Sequence, residues 1–432
     1  MSRIAVIGGG LCGLTAAIRL AQGGADVELW EAATYPGGRT SSYFDQNMQA
    51  WVDRGPHLMV GAYQATRALL RDAGAESNAC FQPSLSLPLW DGGRSHFSLQ
   101  PPSCLPLALA LPLSLGRLPG HGSASILAML RLAASLRRVI DKHANVEEWL
   151  ASLNIPDRLK YDLLEVICIG AMNETMDTAN AASYARVLRD SFDSHDAARL
   201  GWFRAPLRQA LIDPLINLAQ GVDAHIRLSS PARRLRIAND KASIVGSNDQ
   251  EHSFEQVILA LPPWQRNRLL GTDEAFEART IVNAHFWFDA DVKLPTAIIG
   301  TLGAHAHWWF DIDAMHGQAQ RNARHLCAVV SADDSDITAA QRQDLLCREL
   351  ADLLGLEHAP KPRYQRLIIE HRATSLVRAS RQDRGALPRQ LIDASETPQP
   401  GQLPATIEAA VRRGEKAAIS ALNGGAEIDY PL

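Results

Sequence analysis

Residues 3–31 read RIAVIGGGLCGLTAAIRLAQGGADVELWE. The short, branched run Ile4–Ile7 has the composition of a strand buried on both faces. Gly8, Gly9, Gly10 and Gly13 follow, Leu14–Leu20 reads as a helix, Gly23-Gly24 ends it, and Asp26–Trp30 alternates into a second strand that stops at Glu31. That is a complete β-α-β unit within about 30 residues. Gly8 to Gly13 fits the pattern G-x-G-x-x-G. Gly8 permits the tight turn, Gly10 lets the backbone approach a pyrophosphate, and Gly13 lets the helix pack close to the strand, while the helix N-terminus attracts the anion. Gly8, Gly10, Cys12 and Gly13 are therefore the expected phosphate-binding residues. Glu31 stands about 20 residues downstream, where a carboxylate accepts from adenosine ribose hydroxyls and repels a ribose 2′-phosphate. Arg3 and the apolar run after it also have the outline of a secretory leader, but the phosphate-binding register of the glycines favours the strand, turn and helix.

Working outward, the 432 residues suit two domains or one composite domain. Lys+Arg 43 against Asp+Glu 47 gives a formal charge of −4, which argues against a dedicated nucleic-acid surface. Apolar residues are 46% and charged residues 21%, a globular composition. The cysteines are scattered without a C-x-x-C pair, so neither a zinc site nor a disulfide framework is expected. No segment reaches about 18 uninterrupted apolar residues, the length of a membrane-spanning helix.

Pro101–Gly120 (PPSCLPLALALPLSLGRLPG) is rich in proline and leucine and reads as neither a long helix nor a central strand. It is expected to be an apolar loop, lining a core or facing lipid. Helical spacing runs from Ser123 to Ala171, with Asn145 or Asp141 as caps, and resumes near Ala179–Asp190. Strands are expected at Ile226–Leu228, Arg234–Ile237, Ala242–Val245, Val257–Leu261, Ile281–Phe288, Ala297–Ile299 and Leu326–Ser331, and a last helix from about Ala405 to Leu422. Strand–helix alternation at both ends, with different material between, suggests one nucleotide domain assembled from separated segments.

Glu31 leads into Ala32-Ala33-Thr34-Tyr35-Pro36-Gly37-Gly38-Arg39-Thr40. An acid followed closely by Gly-Gly-Arg resembles the second signature of the flavoprotein superfamily of amine oxidases and phytoene-type desaturases. Gly38 permits close backbone approach, and Arg39 brings positive charge near a pyrophosphate or the flavin. Asp53-Arg54-Gly55-Pro56-His57, Ala171–Thr175 leading to Val187–Phe192, Val257–Pro263 and Leu403–Glu408 are similar to hydroxysqualene dehydroxylases, also called squalene-associated FAD-dependent desaturases. The resemblance implies an α/β, amine-oxidase-like fold: a Rossmann-like FAD-binding domain from residues 1–75, 205–272 and 385–432, and a sheet-plus-helices substrate domain from 76–204 and 273–384, with a helical subdomain at about 123–200. It implies FAD as cofactor and removal of the hydroxyl of hydroxysqualene, a C30 isoprenoid, to give squalene and water in squalene and hopanoid biosynthesis. Backbone groups of Leu403, Pro404 and Ala405 would face the flavin, the small Ala409, Ala410, Gly414 and Ala417 would let the last helix pack closely, and the backbone around Ala232 would meet the adenine.

One departure stands out. Relatives carry a Gly-Asp pair before the last helix, whose carboxylate bonds a ribityl hydroxyl; here that pair falls on Ala394-Ser395, and Asp393 or Glu396 are the replacement carboxylates. His57 is the candidate proton donor to a departing hydroxyl, against the alternative of a structural histidine. Asp53 is expected to fix the turn, Arg189-Asp190 to be a buried ion pair, and Trp308-Trp309-Phe310 to be core. His305 and His307 lack the company of a metal site. The alternatives to reductive dehydroxylation are an oxidative flavoenzyme, either a carotenoid-type desaturase or an amine oxidase, and a non-catalytic descendant without FAD. A cytoplasmic protein in peripheral contact with the inner membrane face is expected. Electron donor and oligomeric state are left open by the sequence.

Overall fold

A computed structural model describes residues 2–92, 95–247, 249–289, 291–317, 323–378 and 387–426. The opening strand Arg3–Ile7 lies inside a five-stranded parallel sheet, flanked by Asp26–Trp30 and then His225–Arg227 on one side, and by Gln256–Leu259 and then Leu391–Asp393 on the other. Both faces of this sheet are covered, which explains its unbroken apolar strands. Ile4, Val6, Val27, Leu29 and Ile258 pack on the helices Leu11–Gln22 and Ile407–Leu422. Ala5, Ile7, Val257 and Leu259 pack on an antiparallel meander of Arg234–Ala238, Lys241–Val245 and Glu251–Phe254. Strand bounds differ from the expected ones only at their ends; Gln256–Leu259 stops before the proline pair, which opens the helix Pro263–Leu270.

The second sheet has seven strands, in the order Tyr364–Ser375, Ala278–Phe288, Arg324–Val330, Trp308–Asp311, Ile298–Leu302, Leu87–Asp91 and Ser95–Leu99. Alternation sorts its side chains. Phe286, Phe288, Leu326 and Trp309 face the helix Ala339–Leu354, whereas Trp308, Phe310, Cys327 and Val329 face a helical layer between residues 107 and 191. Trp308, Trp309 and Phe310 are thus core, as expected.

In the helical layer, Asn145 caps Val146–Ser152 in a reciprocal capping box with Glu148. Two expectations need correction. Pro101–Gly120 is not a loop throughout, because Leu107–Leu115 forms a helix with Pro112 inside it. Proline there removes only the bond to the carbonyl of Ala108, and Ala108 is exposed, so water can take the donor's place. Arg189 and Asp190 do not pair. Neighbours on a helix point about 100° apart, whereas residues four apart face each other. Asp190 accordingly pairs with Arg186 at 2.8 Å, and Arg189 donates to the carbonyl of Leu136.

Candidate active site and cofactor cradle

The predicted nucleotide residues collect at one edge, the carboxyl ends of the parallel strands, where open α/β sheets bind ligands. The glycine loop follows Ile7, Glu31 follows Trp30, Ala260 follows Leu259, and Ala394 follows Asp393. Gly8 has φ +106°, and a Cβ there would sit 2.4 Å from the carbonyl oxygen of Ala260. A Cβ on Gly13 would lie 1.8 Å from that of Gly8. These two glycines are required by the protein's own packing. Gly10 differs: it caps the helix Leu11–Gln22 with φ −70°, and a Cβ there would meet nothing within 4 Å. The N–H groups of Leu11, Cys12 and Gly13 at that helix start have no intrahelical acceptor. Open space beside unpaired helix-start donors fits a phosphate, and here the fold meets the demand of FAD.

A second loop closes on the first. Gly37 donates to the carbonyl of Gly9 at 2.8 Å, and a Cβ on Gly38 would come within 3.4 Å of Gly10 Cα. The Glu31 carboxylate accepts from the N–H groups of Gly9 and Ala33, both at 2.7 Å, and each oxygen keeps a lone pair for a hydroxyl. Ser229 and Ser230 donate to the carbonyls of Ala33 and Glu31, which brings the loop carrying half-buried Ala232 alongside Glu31. The Cys12 side chain points away from the loop: it is buried with its Sγ 3.6 Å from the carbonyl of Ala394, and burial pushes the thiol up to about 11. Only its backbone is placed for an anion.

Arg39 reaches across the molecule. Its guanidinium donates to the carbonyl of Ala373 at 2.6 Å and takes Glu396 in a two-pronged ion pair. Glu396 also accepts from Ser375 N and lies 3.5 Å from Arg413. Burial would raise its carboxyl, but the charges of Arg39 and Arg413 hold it down at about 2. Asp393, the other replacement carboxylate, pairs with buried Arg266 at 2.8 Å and accepts from Ser395 N. The altered segment around Ala394-Ser395 is therefore held by two internal ion pairs. Arg413 had no signal in the sequence, and the pairing of Arg39 with Glu396 links residues far apart in the chain.

After that segment, Thr406 caps the helix Ile407–Leu422 by accepting from Ala409 N. Pro404 has no N–H, so Leu403 and Ala405 are the donors available just before the cap. Glu408 accepts from Ala65 N, Thr66 N and Thr66 Oγ, fixing this helix to the start of Gln64–Asp72. A Cβ on Gly414 would lie 2.4 Å from the carbonyl of Cys12, and Ala409 and Ala417 are buried, so the small residues do permit the close approach expected of them.

His57 lies on the link between the strands Ala50–Asp53 and Met59–Val60. Its Nδ1 is 2.9 Å from the carbonyl of Gly55, so Nδ1 carries hydrogen and Nε2 is the exchanging position. Burial, aided by the nearby Arg39 charge and opposed by the Gly55 carbonyl, lowers its pKa below the ordinary 6.5. Gly55 is pressed against Asn283 of the sheet, where a Cβ would sit 2.6 Å from Oδ1. His305 and His307 bond Arg342 and Ser331 N, and no metal-holding cluster exists among the described residues.

The Asp53 side chain accepts from Ser42 Oγ at 2.5 Å and Leu207 N at 2.9 Å, so it ties the end of its strand to a distant segment rather than to the turn that follows. Burial pushes its carboxyl up to about 7 against those two hydrogen bonds. The folded value lies above the ordinary 3.8, so the contribution of Asp53 to stability is complete below that value and is lost as pH rises through about 7. Thermal unfolding of Asp53→Asn should show a flatter pH dependence than wild type across that interval, by at most about 1.4 kcal/mol per pH unit. An unchanged slope would remove Asp53 as the titrating group.

The comparisons with known proteins agree with this geometry. The model of the family described as flavin containing amine oxidoreductase matches residues 11–373. The hydroxysqualene dehydroxylase of Sinorhizobium fredii is 28% identical, covering 97% of this chain and 98% of that one. That of Zymomonas mobilis is 26% identical, over 98% of this chain and 100% of its own. The anticipated resemblance thus runs along nearly the whole chain. Among solved structures, cyclohexylamine oxidase from Brevibacterium oxydans shares the fold, with a TM-score of 0.70 at 15% identity over 98% of this chain and 99% of that one. The cradle's fit to a dinucleotide and the match over most of the sequence lead to one assignment: the chain is an FAD-dependent oxidoreductase and belongs to the flavin containing amine oxidoreductase family.

Proposed function

We infer that this protein removes the hydroxyl of hydroxysqualene to give squalene and water, a step of squalene and hopanoid biosynthesis. The observation that carries the reading is the similarity to hydroxysqualene dehydroxylases over 97–98% of this chain and 98–100% of theirs. FAD, when bound and reduced, supplies the hydride equivalent that converts an alcohol carbon to hydrocarbon. The chain supplies the rest. Gly8, Gly10, Gly13 and the backbone of Cys12 would cradle the pyrophosphate, Glu31 would hold the ribose, the backbone around Ala232 would meet the adenine, and Gly38 with Arg39 would close the cradle. Leu403 and Ala405 would offer N–H groups to the flavin beside the N-terminus of the last helix, whose partial positive charge would favour an electron-rich ring. His57, protonated at Nε2 while Nδ1 stays on the Gly55 carbonyl, gives its proton to the departing hydroxyl, which leaves as water. One hydride and one proton enter, and the C–O bond breaks.

A C30 isoprenoid dissolves in a bilayer, so the enzyme is expected to work in peripheral contact with a membrane, at its cytoplasmic face. No helix among the described residues is long and apolar enough to cross one. The decisive experiment is a single turnover without oxygen, in which enzyme reduced beforehand meets hydroxysqualene in detergent micelles. Squalene should form as the flavin absorbance returns. Flavin that stays reduced, combined with reduction of the oxidised enzyme by a polyene or an amine, would replace this reading with an oxidative one.

A further inference from the structure

The helix Leu107–Leu115 is apolar all round. Leu107, Leu111 and Leu115 are buried in the helical layer, while Leu105, Leu109 and Leu113, spaced four apart, face outward, Leu109 being 52% exposed. A helix with no polar face is normally buried on every side. Its neighbour Ser123–Ser135 buries Ala128, Met129 and Leu132 and yet keeps further leucines on its outer face. Ser125 and Ser135 are buried, with Ser135 Oγ donating to the carbonyl of Leu132 and Ser125 Oγ bonded to His121, whereas Leu127 and Leu130 point outward, Leu127 being 55% exposed. The two helices pack on each other, so exposed leucines cluster in one region of the surface, which marks an interaction site.

Charge identifies what covers it. Between Asp91 and Asp141 the sequence contains neither Asp nor Glu, in a chain that is acidic overall. Within that stretch Arg117 follows Leu113 by four residues, Arg131 stands four after Leu127 on the same helix face, and Arg137 and Arg138 continue from the helix end; all four are exposed. Among the described residues none of them pairs with a carboxylate; Arg131 donates to the carbonyl of Asn154. Leucines flanked by arginines complement a surface that is apolar below and negative above, although Arg138 shares a cleft with Asp141 and Glu148.

We propose that the outer face of the helices Leu107–Leu115 and Ser123–Ser135 is a docking surface for an anionic lipid bilayer. Leu105, Leu109, Leu113, Leu127 and Leu130 enter the acyl boundary, and Arg117, Arg131, Arg137 and Arg138 meet lipid phosphates. This deepens the membrane-surface reading above and rests on it, adding the site and the charge preference. The helices rest on one buried apolar cluster that includes Leu111, Met129, Phe310 and Leu403.

The test is flotation of the intact, flavin-loaded protein with vesicles of phosphatidylcholine alone or mixed with phosphatidylglycerol. Wild type should float with the anionic vesicles and much less with the neutral ones, and high salt should release it. The triple variant Leu109→Ser, Leu113→Ser, Leu127→Ser should lose at least about tenfold in vesicle affinity with its flavin content unchanged, since all three side chains are exposed. Arg137→Ser with Arg138→Ser should weaken binding to the anionic vesicles by about fivefold per charge and leave binding to neutral ones unaltered. Wild type that fails to float, or a triple variant that floats as well as wild type, would overturn the proposal. So would light scattering that finds a wild-type dimer dissociated by Leu113→Glu, because a second copy would then cover the face. Flotation needs no turnover, so its outcome is separate from that of the hydroxysqualene experiment.

Discussion

A Gly10→Val protein is expected to fold normally and to purify without flavin. The backbone at Gly10 has φ −70°, which any residue adopts, and a Cβ there meets no protein atom within 4 Å. The added methyls therefore fill only the space over the helix start, where the pyrophosphate would pass. Flavin occupancy should fall to roughly a tenth of wild type or less, read from visible absorbance, while circular dichroism of the apoprotein stays unchanged and its stability drops only by the cost of a poorer N-cap, about 1 kcal/mol. Gly13→Val is the contrast. Its Cβ would overlap the Gly8 carbonyl at 1.8 Å, so that variant should lose the fold together with the flavin. Full flavin content in Gly10→Val would show that the cofactor does not cross this loop.

His57→Ala should lower the rate of squalene formation by about 10²–10⁴-fold with flavin still bound, the usual scale for removing a general acid. The pH dependence separates this role from a structural one. Burial lowers the His57 pKa, so at neutral pH most of the imidazole is uncharged and the protonated fraction grows as pH falls below the ordinary 6.5. Wild-type turnover should rise toward acid over that range, and the rise should vanish in His57→Ala. A variant that loses activity but keeps the acid-side rise would make His57 a positioning residue for the link between Asp53 and Met59.

The Asp393–Glu396 segment shows where motif reading runs out. Counting along the sequence placed Ala394-Ser395 where relatives carry Gly-Asp, and named Asp393 and Glu396 as the nearby carboxylates. Which of them faces the cradle depends on pairing in space. Asp393 ends its strand beside buried Arg266, whereas Glu396, three residues on, turns inward to Arg39 and Arg413. Arg189 and Asp190 stay apart for a simpler reason: neighbours in sequence diverge on a helix, where residues four apart meet. Pro112 leaves the helix Leu107–Leu115 intact because the one carbonyl it leaves unpaired belongs to exposed Ala108.

By itself the sequence determined the parallel sheet, the glycine loop and its acid, and the character of the flavoprotein. These rest on local rules: branched apolar runs for buried strands, glycine where a carbonyl or phosphate comes close, a carboxylate at a strand end. Tertiary structure alone decided that Gly10 faces open space while Gly8 and Gly13 serve internal packing. It also decided that Arg39 is anchored by a glutamate from the other end of the chain, and that the leucines of two short helices remain on the outside. Those outcomes depend on which distant segments meet, and the free energy of such meetings is set by packing and charge in three dimensions, to which periodicity along the chain is blind.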